Sequence, residues 1–170
     1  IIDLKGRGAE SIIFDVRDNG GGSLTSIVET LDYLLPEGIM FTIKDKKGKT
    51  EEYRSDKASV DMPMAVLVNG NTASAAELFT SALSDYGKAV SIGEKTHGKG
   101  SVSTPFTLSD GSHIYISTAL YYPPKSDNFD GVGIIPDHKV SLSYEASQIS
   151  LYKLPVEDDD QLKFAIELLK

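Results

Sequence analysis

Cysteine is absent from the 170-residue sequence. Its absence excludes a thiol nucleophile, a disulfide framework and a zinc–thiolate site. It leaves the compartment open, because cysteine-free domains occur inside and outside cells. Long apolar runs are missing too, and none approaches the roughly 20 residues that span a bilayer. Basic charge is scarce: 17 Lys and Arg stand against 25 Asp and Glu, a net charge of −8. A nucleic-acid surface needs the opposite balance, so no nucleic-acid partner is expected. The one basic run, Lys44 to Lys49 (KDKKGK), contains a turn signal and reads as a solvated hairpin tip. Histidine is limited to His97, His113 and His138, without H-x-x-x-H or H-E-x-x-H spacing. No metal site and no cofactor are therefore expected. Ser126 to Gly131 faintly echoes a calcium loop but lacks its first Asp and terminal Glu, so it reads as a turn. There is no G-x-S-x-G elbow.

What is present suits one domain with a core, since 40% of residues are hydrophobic and 25% charged. The opening residues, Ile1 to Lys5, read as the interior of a longer protein. Ser11 to Val16 and Met64 to Val68 are short, apolar, β-branched runs, the pattern of buried strands. Apolar residues from Leu24 to Leu35 recur at helical spacing, and Pro36 and Gly38 end that helix. Ile39 to Ile43 and Thr50 to Arg54 predict a hairpin around the basic turn. A second helix is predicted over Ala73 to Tyr86, followed by a strand at Ala89 to Ile92. Val102 to Phe106 and His113 to Tyr121 predict strands around Ser109-Asp110-Gly111, and His138 to Leu142 one more. Residues 123–136 read as loop. Glu157 to Lys170 reads as a closing helix, with Asp158 and Gln161 at capping-box spacing. Strands and helices alternate, with hairpins inserted, which indicates an α/β domain.

Three segments carry the candidate chemistry. In Asn71 to Glu77 (NTASAAE), Ser74 and Glu77 fit the S-x-x-E capping box, and on that pattern alone Ser74 reads as a helix cap. The same geometry sets the serine among backbone N–H groups at the positive end of a helix dipole, a place that stabilises an oxyanion. In Gly93 to Gly100 (GEKTHGKG), Lys99 lies between two glycines. A loop lysine is ordinarily solvated. It becomes a general base only when neutral, which its usual pKa of about 10.4 opposes and burial favours. In Asp15 to Gly22 (DVRDNGGG), a glycine-rich turn follows a strand and precedes a helix. It lacks nucleotide-binding spacing. It can be a plain tight turn or supply N–H groups to an oxyanion hole.

Taken together, DVRDNGGG, VNGNTASAAE (Val68 to Glu77), GEKTHGKGSV (Gly93 to Val102) and GVGIIPD (Gly131 to Asp137) resemble the C-terminal processing, or tail-specific, proteases. The four motifs fall in that family's order, and Lys99 follows Ser74 by the 25 residues expected of it. The resemblance implies a Clp protease and crotonase type of fold, a β-α superhelix of mixed sheets with flanking helices. It implies residues 1–170 as one serine peptidase core, with a PDZ domain elsewhere in the full-length chain. Ser74 would be the nucleophile and Lys99 the base, with Ala75 and Gly20 or Gly21 forming the oxyanion hole. Substrates would be protein or peptide C-terminal tails, with an extracytoplasmic location and room for a homo-oligomer. Many members carry a glutamine four residues after the lysine, where it orients the amine; here that residue is Ser103, a shorter group with a single donor. The resemblance then implies that Ser103 does the job at closer range, that another group does, or that the lysine is poorly held. His97 stands where an aromatic such as phenylalanine is expected. Ser103 keeps open a rival reading, a catalytically weak peptide-binding or scaffolding module on the protease fold. A crotonase-like acyl-CoA enzyme would share the oxyanion hole but leaves Lys99 unexplained.

Overall fold

The computed structural model describes all residues from 1 to 170. A short helix α1 (Ile2–Gly6) precedes strand β1 (Ile12–Asp15), helix α2 (Leu24–Leu34) and the strands β2 (Gly38–Asp45), β3 (Thr50–Ser55) and β4 (Met64–Val68). Helix α3 (Ala75–Asp85), β5 (Ala89–Gly93), β6 (Ser101–Thr107), β7 (His113–Tyr122) and β8 (His138–Lys139) follow. Helix α4 (Tyr144–Ser147), two single-turn 3₁₀ helices and α5 (Asp160–Leu168) close the chain.

Two sheets form. The first is parallel, in the order β1-β4-β5-β8. All five residues of β4 are buried, as expected of a central parallel strand covered on both faces. On one face, β1 and β4 pack against α2 and α3 in a core that includes Leu31, Val66, Leu78 and Leu83. On the other, Ala65, Leu67 and Ile92 pack against Ala165 of α5. The second sheet is antiparallel, in the order β3-β2-β7-β6. It joins the same core through Met40 and Phe41, and the Phe41 ring stacks on Tyr53 at 4.6 Å.

The alternation read from sequence is present, with corrections at the C-terminal end. The strand predicted to Leu142 stops at Lys139, and the closing helix starts at Asp160. Its cap is Asp159, whose side chain accepts the Leu162 N–H, and not Asp158. Gln161 is not a box partner; it is buried, bonding Arg17 and the Val140 carbonyl.

The parallel sheet decides where a site can be. Ligands of such sheets gather beyond the carboxyl ends of the strands, where the connecting loops converge. Here β1 leads into Val16 to Ser23, β4 into Asn69 to Ser74, and β5 into Glu94 to Gly100. These loops contain three of the motifs singled out in the sequence.

Candidate active site

The β1 and β4 loops are tied together first. Thr72 Oγ1 donates to the Val16 carbonyl at 2.8 Å, and the Ala73 N–H donates to the Asn19 carbonyl at 2.9 Å. The Asp18 carboxylate accepts from the side-chain amides of Asn71 and Asn69, each at 2.8 Å. These two bonds, Asn71 first, hold the Asp18 carboxyl below the usual carboxylate range. Beneath them Arg17 is buried, with its guanidinium bonded to Asp15, Asp159 and Gln161. Burial alone would lower its pKa, but the two carboxylates outweigh it and hold the guanidinium above its ordinary value.

Ser74 sits where the β4 loop enters α3, half-buried, at φ 58° and ψ −120°. A non-glycine residue in this region carries strain of about 1–3 kcal/mol, which surrounding structure must over-determine. The sequence has no G-x-S-x-G, yet the physical device is the same: a serine on a strained turn at a helix start. The capping box is formed on one side, with the Ser74 N–H donating to Glu77 Oε2 at 2.8 Å. The reciprocal half is weak. Ser74 Oγ faces the Glu77 N–H without a regular hydrogen bond, and that N–H bonds the Ser74 carbonyl at 3.0 Å instead. The hydroxyl is therefore free for other work.

Gly21 comes directly against this residue. Its φ is +95°, and a Cβ there would lie 2.8 Å from both the Ala73 carbonyl oxygen and Ser74 Cβ, and 2.9 Å from Ala75 N. Only glycine permits that approach. The Gly21 N–H is occupied, donating to Asn19 Oδ1 at 2.9 Å. The N–H groups of Gly20 and Ala75 take part in no hydrogen bond.

The β5 loop is fastened to α3 through Glu77. Its carboxylate is fully buried and accepts four hydrogen bonds. Oε1 takes Thr96 Oγ1 at 2.5 Å and the Gly98 N–H at 2.7 Å. Oε2 takes the N–H groups of Ser74 and Lys99, each at 2.8 Å. Outside this loop, Asp130 and the GVGIIPD segment that follows it form a brace. The Gly131 N–H donates to the Gly98 carbonyl at 2.8 Å, Ile134 N–H to Thr96 Oγ1 at 2.7 Å, and Gly100 N–H to Asp130 Oδ1 at 2.9 Å. Both glycines beside Lys99 are required by this brace. A Cβ would lie 2.7 Å from Gly133 N at position 98, and 2.6 Å from Asp130 N at position 100.

The backbone of Lys99 is thus fixed while its side chain is exposed, and its amine makes neither a hydrogen bond nor an ion pair. Ser74 and Lys99 share no side-chain bond. Ser103 is exposed on edge strand β6, next to a bulge between Val102 and Ser103, and its hydroxyl bonds nothing. His97 is exposed and is held through its N–H to the Thr72 carbonyl at 3.0 Å.

A cleft of about 300 Å³ opens beside Gly21 and Ala75. Phe14, Val16, Ile27, Ala76 and Phe79 give it an apolar wall, and Asp15, Asn19, Ser23, Ser26 and Thr30 line its polar side. Sequence reasoning did not find this cleft, nor the link through Glu77. The former joins residues of β1, α2 and α3; the latter joins two motifs that each had a local explanation.

Comparison with known proteins bears on the family and the fold. Residues 1–140 match the model of peptidase family S41. Over 144 residues, 83% of this chain and 28% of the relative, the chain is 38% identical to carboxyl-terminal-processing peptidase 2, chloroplastic, of Arabidopsis thaliana. A carboxyl-terminal-processing protease of Synechocystis is 36% identical over 98% of this chain and 38% of its own length. The chain therefore spans about a third of these relatives. Among solved structures, the photosystem II D1 C-terminal processing protease superposes with a TM-score of 0.75 at 35% identity, covering 82% of this chain and 36% of that one. A putative S41 protease from Bacteroides fragilis gives a TM-score of 0.79 at 20% identity, over 98% and 46% of the two chains, a likeness of fold. The parallel sheet and the antiparallel sheet, with their helices, are thus the Clp protease-like fold of these proteases, and the chain belongs to peptidase family S41 of serine-type, carboxyl-terminal-processing peptidases.

Proposed function

We propose that this domain is the catalytic core of a serine endopeptidase that cuts protein substrates within or near their C-terminal tails by a Ser-Lys mechanism. The observation that carries the reading is the unbonded Ser74 hydroxyl on a strained helix start, with the free N–H groups of Ala75 and Gly20 at the same turn. In the proposed reaction, Ser74 Oγ attacks the scissile carbonyl while its proton passes to the neutral Lys99 amine. The resulting oxyanion takes hydrogen bonds from Gly20 and Ala75. Gly21 is left out of that pair because its N–H already serves Asn19. The C–N bond then breaks, Lys99 returns the proton to the leaving amine, and water hydrolyses the Ser74 ester. The apolar cleft beside Gly21 suits the side chain on the acyl side of the cut, an aliphatic residue of moderate size. A peptide lying over Ser74 and Lys99 withdraws the amine from water, and desolvation favours the neutral amine that a general base must be. An extracytoplasmic location and a PDZ domain elsewhere in the protein belong to the same proposal and rest on the family alone.

The test is cleavage of a tail peptide by the full-length protein. Ser74→Ala and Lys99→Ala are each expected to abolish turnover with melting intact. Lys99→Arg should be equally inactive, because a guanidinium does not give up its proton. Retention of full activity by Ser74→Ala overturns the assignment. The exposure of the Lys99 side chain and the unbonded Ser103 favour one second reading, a catalytically weak peptide-binding module. That reading predicts tail-peptide binding by the wild-type protein without turnover or acylation of Ser74.

A further inference from the structure

Glu77 does more than a helix cap requires. A capping box uses one carboxylate oxygen on one N–H, and glutamine serves as well as glutamate. Here both oxygens are used, each by two donors, and three of the four donors belong to residues 96–99 of another loop. The group is fully buried, and no Lys, Arg or His forms an ion pair with it. Those four bonds are its whole compensation for leaving water. A glutamine could not replace them, because its amide nitrogen would face donors on one side.

Resting on the Ser-Lys reading above, we infer that Glu77 is the positioning residue that locks nucleophile and base into one unit, doing through the backbone what Ser103 cannot do through a side chain. One oxygen, Oε2, holds the N–H groups of Ser74 and Lys99 together. The other fixes Gly98 and Thr96, and Thr96 passes the constraint on to Ile134 of the outer brace. The strained φ of Ser74 and the course of the Lys99 backbone are thus set by the same carboxylate. The amine needs no partner at its tip for its root to be placed.

The experiment compares Glu77→Gln with wild type in the full-length protein, by hydrogen exchange of individual amides and by turnover of a fluorogenic tail peptide. The variant is expected to exchange the amides of Gly98 and Lys99 at least about tenfold faster. Its kcat should fall about 10²-fold while KM stays within about threefold, the signature of misplaced reacting groups rather than lost binding. Should Glu77→Gln fail to fold, the pair Thr96→Val and Thr96→Ser takes its place. The valine removes one donor and should show both effects in weaker form, and the serine, which keeps the hydroxyl, should restore both. Wild-type exchange at Gly98 and Lys99 together with kcat within about twofold overturns the inference. The exchange readout does not depend on catalysis, so a failure of the Ser-Lys reading, seen as turnover surviving Ser74→Ala or Lys99→Ala, is distinguishable from a failure of the clamp.

Discussion

Gly21→Ala places a single methyl group against Ser74, the proposed nucleophile. The new Cβ would lie 2.8 Å from the Ala73 carbonyl oxygen and from Ser74 Cβ, and 2.9 Å from Ala75 N. These contacts must open by roughly 0.6 Å to reach ordinary van der Waals separation. The Ser74 side cannot retreat, because its N–H is bonded to buried Glu77 and α3 is packed into the main core. The turn at Asn19 to Gly22 therefore yields, and it carries the Gly20 N–H with it. Alanine must also hold a φ near +95°, at a cost of about 1–3 kcal/mol. For a domain of this size that lowers the melting temperature by about 2–12 °C. On the proposed Ser-Lys reaction, displacing one oxyanion donor costs about 10²-fold in kcat. KM should stay within about threefold, because the side chains lining the cleft are unchanged. Differential scanning calorimetry and steady-state turnover of a tail peptide read the two effects. A variant that melts like wild type and keeps kcat within about threefold refutes the close approach on which the argument depends.

Asp159→Asn keeps the cap on the Leu162 N–H but removes a carboxylate from Arg17, whose side chain is 3% exposed. With Asp15 as the remaining anionic partner, a loss of about 2–4 kcal/mol is expected at neutral pH by chemical denaturation. Burial pushes the Asp159 carboxyl upward, yet Arg17 and the Leu162 N–H hold it below the ordinary range. Its contribution is therefore present above about pH 4 and fades as pH falls through the lower folded value. The gap between wild type and variant should close on acidification, and a pH-independent gap would show that charge is not its cause. Ser26→Phe at the exposed wall of the apolar cleft should lower kcat/KM about tenfold for a bulky acyl-side residue relative to alanine, with stability changed by no more than about 0.5 kcal/mol. Equal effects on both peptides would detach that cleft from specificity.

The parts legible in the sequence were those with a local signal. Met64 to Val68 announced a buried strand by its unbroken apolar run, and glycine marked the turns after β1 and on both sides of Lys99. Ser74 and Lys99 were visible as members of ordered motifs. What escaped was long-range or had a sufficient local explanation. Helix α1, at five residues, is too short to show a period. Asp158 and Asp159 are equally good caps on paper, and a guanidinium 142 residues away distinguishes them. Glu77 was accounted for as a box partner, which hid its bonds to Thr96, Gly98 and Lys99. The glycines beside Lys99 shape the backbone against Gly133 and Asp130, and the side chain faces solvent, which the sequence alone could not decide.

The Arg17 clamp redraws the working limits of the domain. The family match ends at residue 140, but two of the guanidinium's partners are Asp159 and Gln161. Arg17 stands at the root of the turn that carries Gly20 and Gly21, so the closing helix acts as a buttress for the side of the site proposed to hold the oxyanion. A chain stopped at residue 140 would leave a buried cation leaning on one half-exposed carboxylate. The smallest piece in which the proposed chemistry can be assembled therefore includes α5, a helix whose part in it is the firmness of the ground beneath the site.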